Sequence, residues 1–93
     1  MGVEITNAYI RGYKRLPRHI KEEALTVILE LAKWPQLPPG RHLEKICDDA
    51  DGAVYSVCLD QHFRMLVQPL QDGFRLRDAG THDELYAREK KNR

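Results

Sequence analysis

Between Pro17 and Lys33 the apolar positions Ile20, Ala24, Val27, Ile28 and Leu31 recur at intervals of four, three, one and three, the period of a helix with one face turned to a core. Leu25, Leu29 and Ala32 widen this stripe, while Arg18, Lys21, Glu22, Glu23, Glu30 and Lys33 lie outside it. Pro17 sits where the helix can start, and Pro35, Pro38, Pro39 and Gly40 end it. Tyr9, Tyr13 and Leu16 repeat at helical intervals over Ala8–Leu16, which predicts a first short helix and so a helical hairpin. The β-formers of Val3–Thr6 predict an edge strand before it. Beyond Gly52 the period falls to two, with Ala53, Tyr55, Val57 and Leu59 alternating against Val54, Ser56, Cys58 and Asp60. Asp60-Gln61-His62 can turn the chain into a second strand, Phe63–Gln68, and Asp72-Gly73 is a hairpin turn into a third, Phe74–Ala79. Thr81-His82-Asp83-Glu84 fits a capping box, which predicts a terminal helix starting at His82. The pattern is that of an α+β domain: helices on one face of an antiparallel sheet, with Arg88–Arg93 as a basic tail.

A chain of 93 residues, 42% hydrophobic and 31% charged, closes a single core of modest stability. No stretch has the ~18 uncharged residues of a membrane span, and Met1–Asn7 lacks the basic start and apolar run of a signal peptide. The expected setting is the cytoplasm, with no membrane contact. Cys47 and Cys58 have neither metal-ligand nor disulfide spacing, so they are expected to be reduced thiols, and no metal or cofactor is expected. The net charge of +1 conceals an uneven distribution. Arg11, Lys14, Arg15, Arg18 and Lys21 crowd one early segment and Arg88, Lys90, Lys91 and Arg93 the end, whereas acids gather at Asp48, Asp49 and Asp51. Such asymmetry fits a polyanion partner, and equally a solvated helix face followed by a loose tail.

Several local phrases stand on this framework: Leu16-Pro17 opening the long helix, Gly40-Arg41-His42-Leu43-Glu44-Lys45-Ile46 before the sheet, Val54-Tyr55-Ser56-Val57, Phe63-Arg64-Met65-Leu66-Val67, and Ala79-Gly80-Thr81-His82-Asp83-Glu84-Leu85-Tyr86. Together they resemble the RelE/ParE toxin superfamily over nearly the whole chain, the last phrase being the most specific. The resemblance implies two N-terminal helices packed on an antiparallel sheet with a short C-terminal helix. It also implies one of two activities. RelE-like members cleave messenger RNA, usually in the ribosomal A site, and ParE-like members poison DNA gyrase; a cognate antitoxin silences either.

Metal-free RNA cleavage needs a base for the 2′-OH proton, a cation for charge on phosphorus and an acid for the departing 5′ oxygen. His82, at the first turn of a helix whose N–H groups favour a phosphate, suits a proton-transfer role, and by resemblance matches the catalytic histidine of YafQ-like members; the bland alternative is a cap packed against Leu85 or Tyr86. Tyr86, one turn on, either stacks on a base or bonds the phosphate, or simply closes the core. Arg64 has the strand parity opposite to Phe63, Met65 and Val67 and by resemblance steadies the scissile phosphate, with a surface ion pair to Asp60 as the competing reading. His42 and His62 resemble further catalytic positions of YafQ-like members, although turn histidines are commonly just solvated. Asp60 either orients a histidine or initiates the turn. Arg11, Lys14, Arg15, Arg75, Arg77 and Lys90 are the candidate RNA contacts. RelE itself has lysines on the strand where this chain has Ser56 and Cys58, and an arginine in place of His82, so an all-cation centre is absent and a histidine-based one is expected. The candidate functions are a toxin that cleaves messenger RNA at the ribosome, a gyrase-inhibiting binding protein, and a catalytically degenerate relative.

Overall fold

The computed structural model describes residues 2–91, the side chains of Lys90 and Lys91 excepted. The elements run β1 (Gly2–Ile5), α1 (Asn7–Arg15), α2 (Arg18–Glu30), single 3-10 turns at Leu31–Lys33 and Pro39–Arg41, β2 (Glu44–Asp49), β3 (Gly52–Cys58), β4 (Phe63–Leu70), β5 (Gly73–Thr81) and α3 (His82–Lys91). Thr6 caps α1, its hydroxyl accepting from the Tyr9 N–H at 3.1 Å and donating to the Leu76 carbonyl at 2.8 Å. The helix is thereby tied to β5 at its first turn. Gly12 lets the two backbones touch, since a Cβ there would lie 2.0 Å from the Ala79 carbonyl oxygen.

The strands form one five-stranded sheet in the order β1-β5-β4-β3-β2. β2 to β5 are an antiparallel meander, as the period-two pattern requires, with β2 added in front. Two features depart from the sequence expectation. β1 pairs parallel with β5, so the sheet is mixed rather than wholly antiparallel. β2 was not foreseen, because Glu-Lys-Ile-Cys-Asp-Asp is an edge strand whose bulge between Lys45 and Cys47 breaks any alternation.

One face of the sheet carries the main core. Tyr9, Leu16, Ile20, Ala24, Val27 and Leu31 from the helices meet Val57, Leu59, Met65, Val67, Phe74, Leu76 and Ala79, with Ile28, Tyr55 and Phe63 half-buried around them. The helical stripe is narrower than its sequence suggests: Leu25 is 53% and Leu29 78% exposed, because α2 and the turn after it meet the sheet along the Ile20–Ala24–Val27–Leu31 line, with Ile28 at its margin. The opposite face is covered by α3, where Leu85 packs on Val54 and Leu66 beside Ile46, Cys47 and Tyr86. A bulge in β5 near Arg77 turns both Arg77 and Asp78 toward α3, where they pair with Glu89 and Arg88. The expected tail is therefore helical through Lys91 and tied down at Arg88, while the Lys90 side chain and residues 92–93 lie outside the described residues. No helix among the described residues is long and apolar enough to cross a membrane.

Candidate active site

Strand β5 passes into α3 without a loop, and the capping box makes that abrupt turn possible. Glu84 Oε1 accepts from the Thr81 N–H at 3.0 Å and from its hydroxyl at 2.9 Å, while the Glu84 N–H lies 3.3 Å from Thr81 Oγ1. His82 is thus fixed at the first helical residue, its N–H donating to the His62 carbonyl at 3.2 Å. Its imidazole is half-exposed and lies over the Tyr86 ring, centroids 4.0 Å apart, with Nδ1 3.3 Å from Asp83 Oδ1. Tyr86 is one turn further on the same face.

The Tyr86 hydroxyl donates to Glu44 Oε1 at 2.6 Å, which brings β2 into the group. Burial, and then this bond to a carboxylate, push the Tyr86 phenol above its ordinary pKa, so it stays a proton donor across the physiological range. On β4, Arg64 donates from Nη1 to Ser56 Oγ at 3.2 Å. Arg41, Arg75, Arg77 and Arg88 are all ion-paired, whereas among the described residues Arg64 has no carboxylate partner. Arg64 lines an open cleft of about 640 Å³ together with Gly40, His42, Glu44, Cys58, Asp60 and Gln61. A half-buried guanidinium that meets a hydroxyl but no carboxylate, at the edge of an open cleft, has donors to offer an anion.

The arrangement joins Glu44, Tyr86 and His82 in one chain of neighbours, with Arg64, Glu44 and His42 lining one cleft. His62 does not line the cleft; its side chain is exposed and its backbone serves the turn and the His82 N–H. Asp60 is the turn initiator: burial alone would raise its carboxyl, but the N–H groups of His62 and Phe63, each 2.8 Å away, outweigh burial and hold it low. Cys58 is buried and its thiol donates to the Asp60 carbonyl at 2.8 Å, a packing role.

No protein-family profile matches the sequence and no characterised protein matches it in sequence. Solved structures do match in three dimensions. The toxin in the RelB–RelE antitoxin–toxin complex of Methanococcus jannaschii superposes with a TM-score of 0.69 at 15% identity, over 91% of this chain and 96% of that one. The YoeB dimer of Staphylococcus aureus gives 0.71 at 10% identity over 88% and 97%. YafQ in the DinJ–YafQ complex of E. coli gives 0.70 at 16% over 91% and 97%. The fold is that of the RelE-type toxins.

Within this RelE-type fold the basic candidates separate into two groups. Arg11, Lys14 and Arg15 stand exposed on α1. Arg75 and Arg77 are engaged on the α3 side of the sheet: Arg75 with Glu4 at 2.9 Å and Asp51 at 2.8 Å, Arg77 with Asp49 and with Glu89 at 3.7 Å. Sequence reasoning missed Glu44 and Ser56. Period-two alternation does put Ser56 and Arg64 on the same side of the sheet, so that pairing was within reach; Glu44 stands at the head of an unforeseen strand and gave no signal.

Proposed function

We propose that this chain is the toxin of a toxin–antitoxin pair and an endoribonuclease that cleaves messenger RNA, presented by the ribosome, by attack of a ribose 2′-OH on the adjacent phosphate. The observation that carries the reading is Arg64, a guanidinium without a carboxylate partner among the described residues, in a cleft it shares with Glu44, to which Tyr86 and His82 are joined. Arg64 holds the non-bridging phosphate oxygens and takes up the charge that grows on them in the transition state. Glu44, oriented by the Tyr86 hydroxyl, accepts the 2′-OH proton as the O2′–P bond forms. His82, protonated, gives its proton to O5′ as the P–O5′ bond breaks, leaving a 2′,3′-cyclic phosphate and a free 5′-hydroxyl. His42 lines the same cleft and contacts the same substrate in this reading.

Among the described residues no group of three or more His, Cys, Asp or Glu side chains is arranged to hold a metal ion. RelE and YafQ, two of the toxins that share this fold, were crystallised with RelB and DinJ, which supports an antitoxin partner for this chain as well.

The test is cleavage of messenger RNA in a translating extract, with cut ends mapped and the 2′,3′-cyclic phosphate identified. His82→Ala is expected to slow cleavage by ~10²–10⁴-fold while shifting stability by less than about 1 kcal/mol, as for a half-exposed residue whose loss opens no cavity. A loss under tenfold in both His82→Ala and Arg64→Ala would move the site elsewhere. Toxicity with intact transcripts and gyrase-dependent DNA breaks would replace the nuclease by a gyrase-binding toxin.

A further inference from the structure

Gly40 and His42, the residues on either side of Arg41, line the same cleft as Arg64. Arg41 points the other way, into the protein, and its side chain is 11% exposed. Its guanidinium forks onto Glu30 of α2, Nε to Oε1 at 2.7 Å and Nη2 to Oε2 at 3.2 Å. Nη1 meets Glu23 Oε2 at 3.0 Å and donates to the Cys58 carbonyl at 3.3 Å. Cys58 is the residue paired with Arg64 across β3 and β4. One side chain therefore fastens the 39–41 turn both to α2 and to the strand position beside the phosphate-facing arginine.

The next residue shows what that fastening holds. His42 has φ 44° and ψ 57°, and among the described residues it is the single non-glycine residue with positive φ. A side chain with a Cβ occupies the left-handed region only where its surroundings over-determine the backbone. The His42 N–H to the Pro39 carbonyl, at 3.4 Å, is a weak constraint, whereas the Arg41 fork is charge-assisted and largely buried.

Resting on the nuclease reading above, we propose that Arg41 is a positioning residue: its fork onto Glu30 and its bonds to Glu23 and the Cys58 carbonyl hold His42 in the left-handed conformation that aims its wall of the cleft at the phosphate bound by Arg64. Lysine cannot replace it, because an ammonium lacks the planar fork that spans Glu30 and the carbonyl together.

The experiment uses the full chain, isotope-labelled, with Arg41→Lys as the main variant and Glu30→Gln, which weakens the same fork from α2, as a second should Arg41→Lys fail to fold. The first readout is the His42 backbone chemical shifts and coupling constant, which report positive φ without any turnover. The second is titration with inorganic phosphate followed at the Arg64 Nε–Hε resonance. The third is kcat and KM for RNA cleavage. In folded Arg41→Lys or Glu30→Gln, His42 is expected to leave the left-handed region and phosphate affinity to fall. kcat should drop by roughly 10²-fold, the cost typical of a small misplacement, with KM changed much less. Unchanged His42 signals in a folded variant overturn the role of Arg41, whatever the wild type does to RNA. A shifted His42 with full phosphate affinity and full kcat also overturns it. A wild type that binds phosphate at Arg64 but never cleaves RNA overturns the nuclease reading alone, and the first two readouts still decide Arg41.

Discussion

Tyr9 is 4% exposed beside Tyr13, and its hydroxyl is enclosed with no hydrogen-bond partner among the described residues. Such a hydroxyl costs ~1–3 kcal/mol relative to leaving it in water. Burial, reinforced by the Tyr13 phenol, pushes its pKa up to about 12 from an ordinary 10.0. Between those values the folded chain keeps a proton that the unfolded chain has lost, so the contribution is whole below about pH 10 and falls as pH rises toward 12. Tyr9→Phe is expected to leave stability at pH 7 unchanged or up by about 1 kcal/mol and to flatten the alkaline decline. Urea unfolding at pH 8 and pH 11 reads both, and a loss of about 2 kcal/mol at pH 8 would mean that the hydroxyl is bonded after all. The sequence placed Tyr9 on the inner face of a helix, since periodicity reports direction; whether its oxygen meets a partner depends on atoms from several elements. Glu44 was hidden for the same reason. Its importance lies in the Tyr86 hydroxyl, 42 residues away in sequence.

At the scale of the element, α3 was the most legible part of the chain because its start is coded locally. Thr81 and Glu84 satisfy each other across one turn, and that bond fixes His82 and, four residues on, Tyr86. The backbone N–H and hydroxyl of Thr81 hold the Glu84 carboxyl below the ordinary carboxylate range, with Arg88 and Arg15 adding to the effect. A depressed carboxyl contributes stability above its unfolded pKa and loses it as pH falls through the folded one. Thr81→Ala is therefore expected to cost about 1 kcal/mol at pH 7 and less near pH 3, where the unfolded Glu84 carboxyl is already protonated. Equal losses at both pH values in urea titrations would show that the hydroxyl alone, and not the carboxylate, makes the cap. β1 and β2 lie at the opposite limit. Both are edge strands with largely exposed side chains, and β1 finds its parallel partner about seventy residues later, so neither needs a periodic apolar pattern to form.

Across the whole molecule, the net charge of +1 is the remainder of two unlike surfaces. On the α3 side, Asp49, Asp51, Glu4 and Glu89 neutralise Arg75 and Arg77 and join β1, the β2–β3 turn and α3 across the sheet. On the α1 side, Arg11, Lys14 and Arg15 stand exposed and outside any ion pair among the described residues. Sequence counts these arginines and lysines alike; only the fold tells which are already paired. If RNA is bound electrostatically, its affinity depends on cations free to release counterions, and each phosphate contact on a single strand adds about −0.7 to the slope of log K against log salt. Replacing Arg11, Lys14 and Arg15 by alanine is thus expected to flatten that slope by about 2. Arg75→Ala is expected to leave it unchanged and to loosen the β1 edge, seen as faster amide exchange at Val3 and Ile5. Fluorescence anisotropy with a 2′-deoxy-blocked, uncleavable RNA between low and physiological salt measures the slope. If Arg75→Ala flattens it and the triple variant does not, the RNA lies along the α3 side of the sheet, and its acids must give up their arginines when RNA binds.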